Sequence, residues 1–136
     1  MSLEEHQFSC RVYYEDTDLG GIVYYANYLK FIERARSEWI RSLGINQLTL
    51  KDDYGMIFVV SRMEADFLLS AKYDDILSII TRVQKLTSVR IVLNQEIFRK
   101  TKLLFRSVVS IVPISSKGSV LRLPEDIRQL MRGSHI

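Results

Sequence analysis

The chain has 136 residues with a formal net charge of +3; 47% of the residues are hydrophobic and 26% are charged. This length and composition predict one globular domain, residues 1–136, and exclude disordered and fibrous classes. No apolar run reaches the roughly 20 residues that a membrane-spanning helix needs. The first ten residues lack the pattern of a signal peptide, and the single cysteine, Cys10, excludes an internal disulfide.

Lysine and arginine are scattered along the chain, so the sequence does not predict a nucleic-acid interface. A modest basic excess still suits a small polyanionic ligand, because the local potential decides capture. We therefore expect a cytoplasmic protein with no membrane span and no nucleic-acid partner.

The N-terminal third predicts one strand followed by one long helix. Residues 7–15 alternate loosely between apolar and polar side chains, which is typical of a strand. Apolar residues then recur at helical spacing, with charged residues on the opposite face: Tyr28, Phe31, Ile32, Ala35, Trp39, Ile40 and Leu43. Asn27 is predicted to cap the start of this helix, and Gly44 suits the left-handed position after its end.

The rest of the chain predicts four strands, near residues 57–69, 75–87, 90–99 and 102–113. Residues 47–54 form a short helical or looped connection before them, and residues 124–132 form a short helix after them. Strands without helices between them connect as antiparallel hairpins, so the fold class is α+β. One helix covers such a sheet only in part, which favours self-association.

The chemistry that the sequence permits is carboxylate chemistry. His6 and His135 lie at opposite ends of the chain, away from any motif, so a serine or cysteine triad and a zinc site are not expected. Three acids, Glu15, Asp16 and Asp18, precede the long helix. Because the two histidines and the single cysteine are widely separated, the sequence predicts no metal site, and it predicts no separate cofactor.

Asp18 is the acid best placed for catalysis. It precedes Gly20 and Gly21, which let the backbone and a ligand approach closely, and then the apolar helix entrance. Unpaired N–H groups at a helix start can stabilise an oxyanion while a carboxylate attacks an acyl carbon or activates water. The residues alone leave a second interpretation open, in which Asp18 only caps the helix region.

The stretch RVYYEDTDLGGIVYYANYLKFIERARSEW resembles the 4-hydroxybenzoyl-CoA thioesterase family, which has the hotdog fold. The resemblance is dense over residues 11–41 and closest to the small acyl-CoA thioesterases associated with the Tol–Pal system. A weaker match follows in FVVSRMEADFLLSAKYDDIL, residues 58–77. The resemblance implies a five-stranded antiparallel sheet wrapped around one long helix, and hydrolysis of an acyl-CoA thioester.

The resemblance also implies roles for particular residues. Asp18 matches the family's catalytic aspartate, as nucleophile or general base, and the backbone N–H of Tyr25 matches the group that polarises the thioester carbonyl. For such a substrate, we expect contacts to the acyl group from Gly21, Ile22, Tyr24, Phe58 and Val59. By their charge and their position on strand ends, Arg62 and Arg90, with Lys85 and Lys100, are candidates to contact the phosphates of coenzyme A. Coenzyme A is here part of the substrate.

One position departs from the Tol–Pal-associated branch, which usually has histidine where this chain has Tyr25. The backbone N–H survives that change, whereas an acid or base role of the side chain does not. The alternative to an enzyme is a non-catalytic hotdog protein that binds acyl thioesters or an acyl-carrier protein. Hotdog sites lie between subunits, so the resemblance implies a homodimer or a tetramer of two dimers.

Overall fold

The computed structural model describes residues 5–133. Within these residues, five strands and three helices follow in this order: β1 (His6–Arg11), α1 (Asn27–Ser42), α2 (Gln47–Tyr54), β2 (Met56–Phe67), β3 (Ile76–Leu86), β4 (Ile91–Arg99), β5 (Lys102–Ser115) and α3 (Glu125–Met131). A 3-10 turn, Tyr14–Asp16, follows β1. Among residues 5–133 no helix has the length and apolar character needed to cross a bilayer.

The strands form one antiparallel sheet in the order β1-β3-β4-β5-β2. Helix α1 lies along one face of this sheet. Its apolar stripe packs against the inward-facing side chains of the strands, and this contact removes both apolar surfaces from water. Phe31, Ile32 and Ala35 of α1 are buried with Ile79 and Phe105 of the sheet. This arrangement confirms the predicted α+β hotdog architecture.

The predicted boundaries hold to within a few residues for four of the five strands. The first strand is the exception, because it ends at Arg11 and not near residue 15. The Asp16 carboxylate accepts a hydrogen bond from the backbone N–H of Tyr13 over 2.8 Å. This local bond favours a 3-10 turn over a continued strand.

The helix boundaries show one wrong prediction and one confirmed prediction. Asn27 does not cap α1; its side-chain amide donates to the carbonyl of Asp16 over 2.9 Å and ties the helix to the preceding turn. Gly44 follows the helix with φ of +84°, the left-handed conformation expected of it. Residues 47–54 form a true helix, because the Asn46 side chain accepts hydrogen bonds from the N–H groups of Leu48 and Thr49.

Cys10 is half-buried in β1, and this burial raises the pKa of its thiol to about 11, with Arg34 opposing the shift and Asp16 adding to it. A thiolate is the reactive form of cysteine, so the native thiol should be inert near neutral pH. We expect alkylation of the native protein at pH 8 to be slower than that of the unfolded chain by a factor on the order of 10². Mass spectrometry after timed exposure to iodoacetamide, with and without denaturant, measures both rates. Equal rates would show that the thiol is not protected by the fold.

Candidate active site

Asp18 lies in a tight turn between β1 and α1. Its backbone N–H donates to Ile22 O over 2.9 Å, and Gly21 N–H donates to Asp18 O over 3.0 Å. Gly21 has φ of +80°, a conformation that other residues avoid. The turn therefore fixes the backbone on both sides of the carboxylate.

The Asp18 side chain is held at one oxygen only. Its Oδ1 accepts a hydrogen bond from Gly20 N–H over 2.9 Å. Its Oδ2 accepts none from the residues between 5 and 133, and the side chain is exposed. One oxygen thus sets the orientation of the carboxylate, while the other is available to react.

The entrance to α1 presents an N–H group beside this turn. The N–H groups of Asn27, Tyr28 and Leu29 donate to the carbonyls three residues earlier, over 2.8 to 3.2 Å. Tyr24 N–H donates to Asp16 O over 3.0 Å. Tyr25 N–H, in contrast, has no acceptor within the described part of the chain, and it lies at the positive end of the helix dipole.

The fully buried Ala71 joins the turn, the helix and the connection between β2 and β3. Its carbonyl accepts from Val23 N–H over 2.8 Å, and its N–H donates to the hydroxyl of Tyr28 over 3.0 Å. Burial raises the pKa of Tyr28, whereas the Ala71 N–H and the nearby Arg99 oppose that shift. The phenol is therefore neutral and serves as a hydrogen-bonding group.

A salt bridge braces the same connection from the outside. The Arg99 guanidinium donates to Ser70 O over 3.0 Å and to the Asp75 carboxylate over 2.8 Å. Asp75 also accepts from Lys72 N–H over 2.8 Å. Residues 70–75 are thus fixed by directional bonds on both sides of Ala71.

These segments enclose an open cavity of about 340 Å³, lined by Asp18, residues 22–25, Tyr28 and residues 67–70. The lining is mostly apolar and aromatic. Phe67 packs edge-on against Tyr25 and Tyr28, with ring centroids 5.9 and 5.7 Å apart, and Tyr28 stacks on Phe105 at 5.3 Å. A carboxylate residue, a residue whose N–H has no acceptor among residues 5–133 and an apolar wall therefore line one cavity, which is a combination suited to acyl transfer.

The structure brings together only some of the residues predicted from the sequence. Asp18, Ile22, Tyr24 and Tyr25 line the cavity, and Gly21 shapes the turn beside them. His6 lies on β1 and does not line the cavity, and His135 falls outside the described residues. Residues 5–133 contain no cluster of three or more His, Cys, Asp or Glu side chains that could hold a metal ion.

The other predicted substrate contacts lie away from this cavity in the same chain. Phe58 and Val59 are near the start of β2, whereas Phe67 at its end lines the cavity. Phe67 lies nine residues beyond Phe58, which corresponds to about 30 Å of strand. Arg62 pairs with Glu64 on β2, and Arg90 is exposed just before β4.

Several cavity residues were not predicted from the sequence, namely Tyr28 and residues 67–70. Tyr28 was assigned to the apolar stripe of α1, which it does join, being 4% exposed. Phe67, Leu68 and Leu69 carry a signal in the sequence, because three consecutive apolar residues break the alternation of a strand. All three are between 43% and 49% exposed, which is unusual for such side chains.

Comparison with known proteins identifies the family. The family model described as the thioesterase superfamily matches residues 20–105. The acyl-CoA thioesterase YbgC of Haemophilus influenzae is 38% identical over 122 residues, which cover 89% of this chain and 90% of that protein. The acyl-CoA thioester hydrolase YbgC of Escherichia coli O6:H1 is 36% identical over 115 residues, covering 82% and 85%.

The chain belongs to the thioesterase superfamily. This confirms the family resemblance of residues 11–41 and the prediction of a thioesterase-type enzyme. A probable thioesterase from Bartonella henselae, 39% identical, superposes with a TM-score of 0.85 over 89% of this chain and 100% of that one. The 4-hydroxybenzoyl-CoA thioesterase of Pseudomonas sp. strain CBS-3 superposes with a TM-score of 0.88 over 93% and 98%, and at 22% identity it supports the fold alone.

Proposed function

We propose that this member of the thioesterase superfamily hydrolyses acyl-CoA thioesters to the free acid and coenzyme A, with Asp18 as the reacting carboxylate. The observation that carries the proposal is that one apolar cavity is lined by both Asp18 and Tyr25, whose N–H has no acceptor among residues 5–133. The YbgC relatives, named acyl-CoA thioesterases and acyl-CoA thioester hydrolases, support the substrate class. The reaction needs no cofactor, because coenzyme A belongs to the substrate.

The thioester carbonyl oxygen is placed against Tyr25 N–H, so that negative charge developing on that oxygen meets a fixed donor and the helix dipole. Asp18 acts in one of two ways. As a general base it takes a proton from water, whose oxygen then adds to the carbonyl carbon. As a nucleophile its oxygen adds directly and forms an anhydride that water later cleaves. In both routes the carbon–sulfur bond breaks and the coenzyme A thiolate leaves and takes up a proton.

The proposal extends to assembly, because one chain leaves the site open along β2. This strand lies at the edge of the sheet, and its side chains Ile57, Val60 and Phe67 are exposed. An unpaired apolar edge of 12 residues invites pairing with another strand. Two copies of β2 paired antiparallel about a twofold axis would bring the Phe58 end of one strand beside the Phe67 end of the other.

This pairing would reunite the predicted substrate contacts with the cavity. Phe58, Val59 and Arg62 of one subunit would then complete the site around Asp18 of its partner, with Arg90 and Lys85 as further candidates for the coenzyme A phosphates. We therefore propose a homodimer as the active unit and a tetramer of two such dimers as the larger assembly. From the sequence we also propose a cytoplasmic location. A carrier-protein thioester is the competing substrate, and its rate relative to acyl-CoA decides between the two.

Replacing Asp18 by Asn should lower kcat by a factor on the order of 10² or more, because the amide keeps the shape and lacks the reactive anion. Release of free coenzyme A from a panel of acyl-CoAs, followed with a thiol-reactive dye, measures the rate. Glu15→Gln is the matched control, since Glu15 is an exposed acid in the neighbouring 3-10 turn, and it should keep wild-type activity. Normal turnover by folded Asp18→Asn would rule out the mechanism, and acyl-CoA binding without turnover by the wild type would favour the non-catalytic alternative.

Replacing Tyr25 by Phe should leave most of the activity, because the proposed role belongs to the backbone N–H and not to the phenol. The ring would still pack edge-on against Phe67. Steady-state kinetics of Tyr25→Phe and Tyr25→His on the same acyl-CoA panel separate rate from selectivity. A loss as deep as that of Asp18→Asn would mean that the hydroxyl itself is an acid or a substrate anchor.

Replacing Val60 by Lys should convert the dimer to a monomer and abolish activity, because a charge at the β2 edge would be buried in the proposed interface, in a groove lined by three basic residues and one acid: Lys30, Arg34, Arg36 and Glu33. Sedimentation at micromolar concentration measures the mass against the 15.9 kDa of one chain. Val120→Lys is the control, since Val120 is also exposed but lies outside β2. A wild-type monomer with full activity would contradict the shared site.

A further inference from the structure

Gln95 is a fully buried amide in the layer between the sheet and α1. It lies on the central strand β4, 0% exposed, among side chains that are almost all apolar. A buried amide is tolerated only when its hydrogen bonds are made. The Gln95 side chain makes three, so it is fully integrated in the core.

Two of these bonds reach α1 and the third reaches β3. The Nε2 group donates to the backbone carbonyl of Ile32 in α1 and to the hydroxyl of Thr81 in β3, both over 3.0 Å. The Oε1 atom accepts from Nη1 of Arg36, in the next turn of α1, also over 3.0 Å. One side chain therefore ties the middle of the helix to two neighbouring strands.

The bonds to α1 are unusual because Gln95 lies on the face of the sheet that packs against the helix, where most side chains are apolar. Arg36 is partly buried along the groove beside β2, and this burial lowers its pKa while Glu33 opposes the shift. The guanidinium therefore needs its acceptor, Gln95 Oε1, to offset lost hydration. The helix is thus bonded to Gln95 through both a carbonyl and a side chain.

Apolar packing constrains the axial position of a helix less sharply than directional bonds do, because the hydrophobic effect is non-directional. Hydrogen bonds are directional and fix position to a fraction of an ångström. Tyr25 lies two residues before α1 and is bonded to its first turn, because Tyr28 N–H donates to Tyr25 O over 3.2 Å. Ile32 follows seven residues after Tyr25, or about 10 Å at the rise of a helix. A rigid helix transmits a fixed position at Ile32 to the N–H of Tyr25.

We propose that Gln95 is a positioning residue: by bonding Ile32 O and Arg36 it fixes the axial and rotational position of α1 over the sheet, and so places Tyr25 N–H for the oxyanion. The proposal rests on the function proposed above. An oxyanion donor displaced by a few tenths of an ångström loses much of its effect on the transition state, while ground-state binding of coenzyme A changes little. The defect should therefore appear in kcat and not in KM.

Gln95→Met tests the proposal, because methionine has a similar volume and makes none of the three bonds. We expect kcat to fall on the order of tenfold with KM within twofold, and we expect the melting temperature to fall as well, because Arg36 and Thr81 lose their hydrogen-bond partner. Gln95→Glu keeps an acceptor for Arg36 but cannot donate to Ile32 O, so it should show the same fall in kcat. Thr81→Val is the matched control, since it leaves both bonds to α1, and it should keep wild-type kcat.

Two further measurements separate positioning from stability and from the reaction itself. Leu93→Ala, a core substitution on the same strand, should lower the melting temperature and keep kcat at temperatures where it is folded. The amide resonance of Tyr25 in a ¹⁵N-labelled sample should shift in Gln95→Met and Gln95→Glu and stay in place in Thr81→Val. The Tyr25 amide shift can be measured even if the wild type hydrolyses no acyl-CoA. Failure of the proposed function and failure of the positioning role are therefore distinguishable.

The kcat values and the Tyr25 amide shifts of these variants together decide the proposal. A tenfold loss of kcat in Gln95→Glu with a shifted Tyr25 amide supports the proposal, even if Gln95→Met does not fold. Wild-type kcat and an unshifted Tyr25 amide in a folded Gln95→Met or Gln95→Glu overturn it. A loss of kcat in Leu93→Ala as large as that in Gln95→Glu also overturns it, because the effect would then follow stability alone.

Discussion

The candidate site depends on the backbone of one buried residue, Ala71. Its carbonyl is bonded to the turn that carries Asp18, and its N–H is bonded to the hydroxyl of Tyr28 in the first turn of α1. Both groups are removed from water, so each must keep its partner or leave an unpaired polar group in the core. Three segments that are distant in sequence are therefore held together at one point, and the cavity is the space that they enclose.

In the proposed mechanism, two kinds of group in that cavity have two different tasks. The carboxylate is carried by a glycine-containing turn that fixes Oδ1 and leaves Oδ2 without a donor among residues 5–133. The N–H donor is presented by a helix start, where the geometry of the first turn leaves Tyr25 without an acceptor among residues 5–133. Neither group requires a special side-chain environment. Their chemistry follows from backbone conformation and from the direction of the helix dipole.

The single chain leaves two surfaces of the same region uncovered. The edge strand β2 exposes apolar side chains, and the rim of the cavity exposes Phe67, Leu68 and Leu69. Pairing of β2 with a second copy would cover both, and it would place the start of one strand at the cavity of the other chain. The proposed site and the proposed assembly thus share one physical cause, the unpaired edge of the sheet.

The sequence by itself determined the number and order of the strands, the long helix and the turn with Asp18, because period-2 and period-3.6 patterns and glycine positions are local properties. It also identified the family through residues 11–41. It did not determine that β1 would end at Arg11, since the Asp16 carboxylate bonds the Tyr13 N–H only once the turn is formed. The sequence also did not show that Phe67 and Ser70 lie beside Asp18, or that Gln95 packs beneath α1. It led us to group Phe58 with Asp18, although about 30 Å of strand separates Phe58 from the cavity residue Phe67. Those neighbours are set by the pairing register of β2 with β5 and of β3 with β4, and register is a property of the assembled sheet.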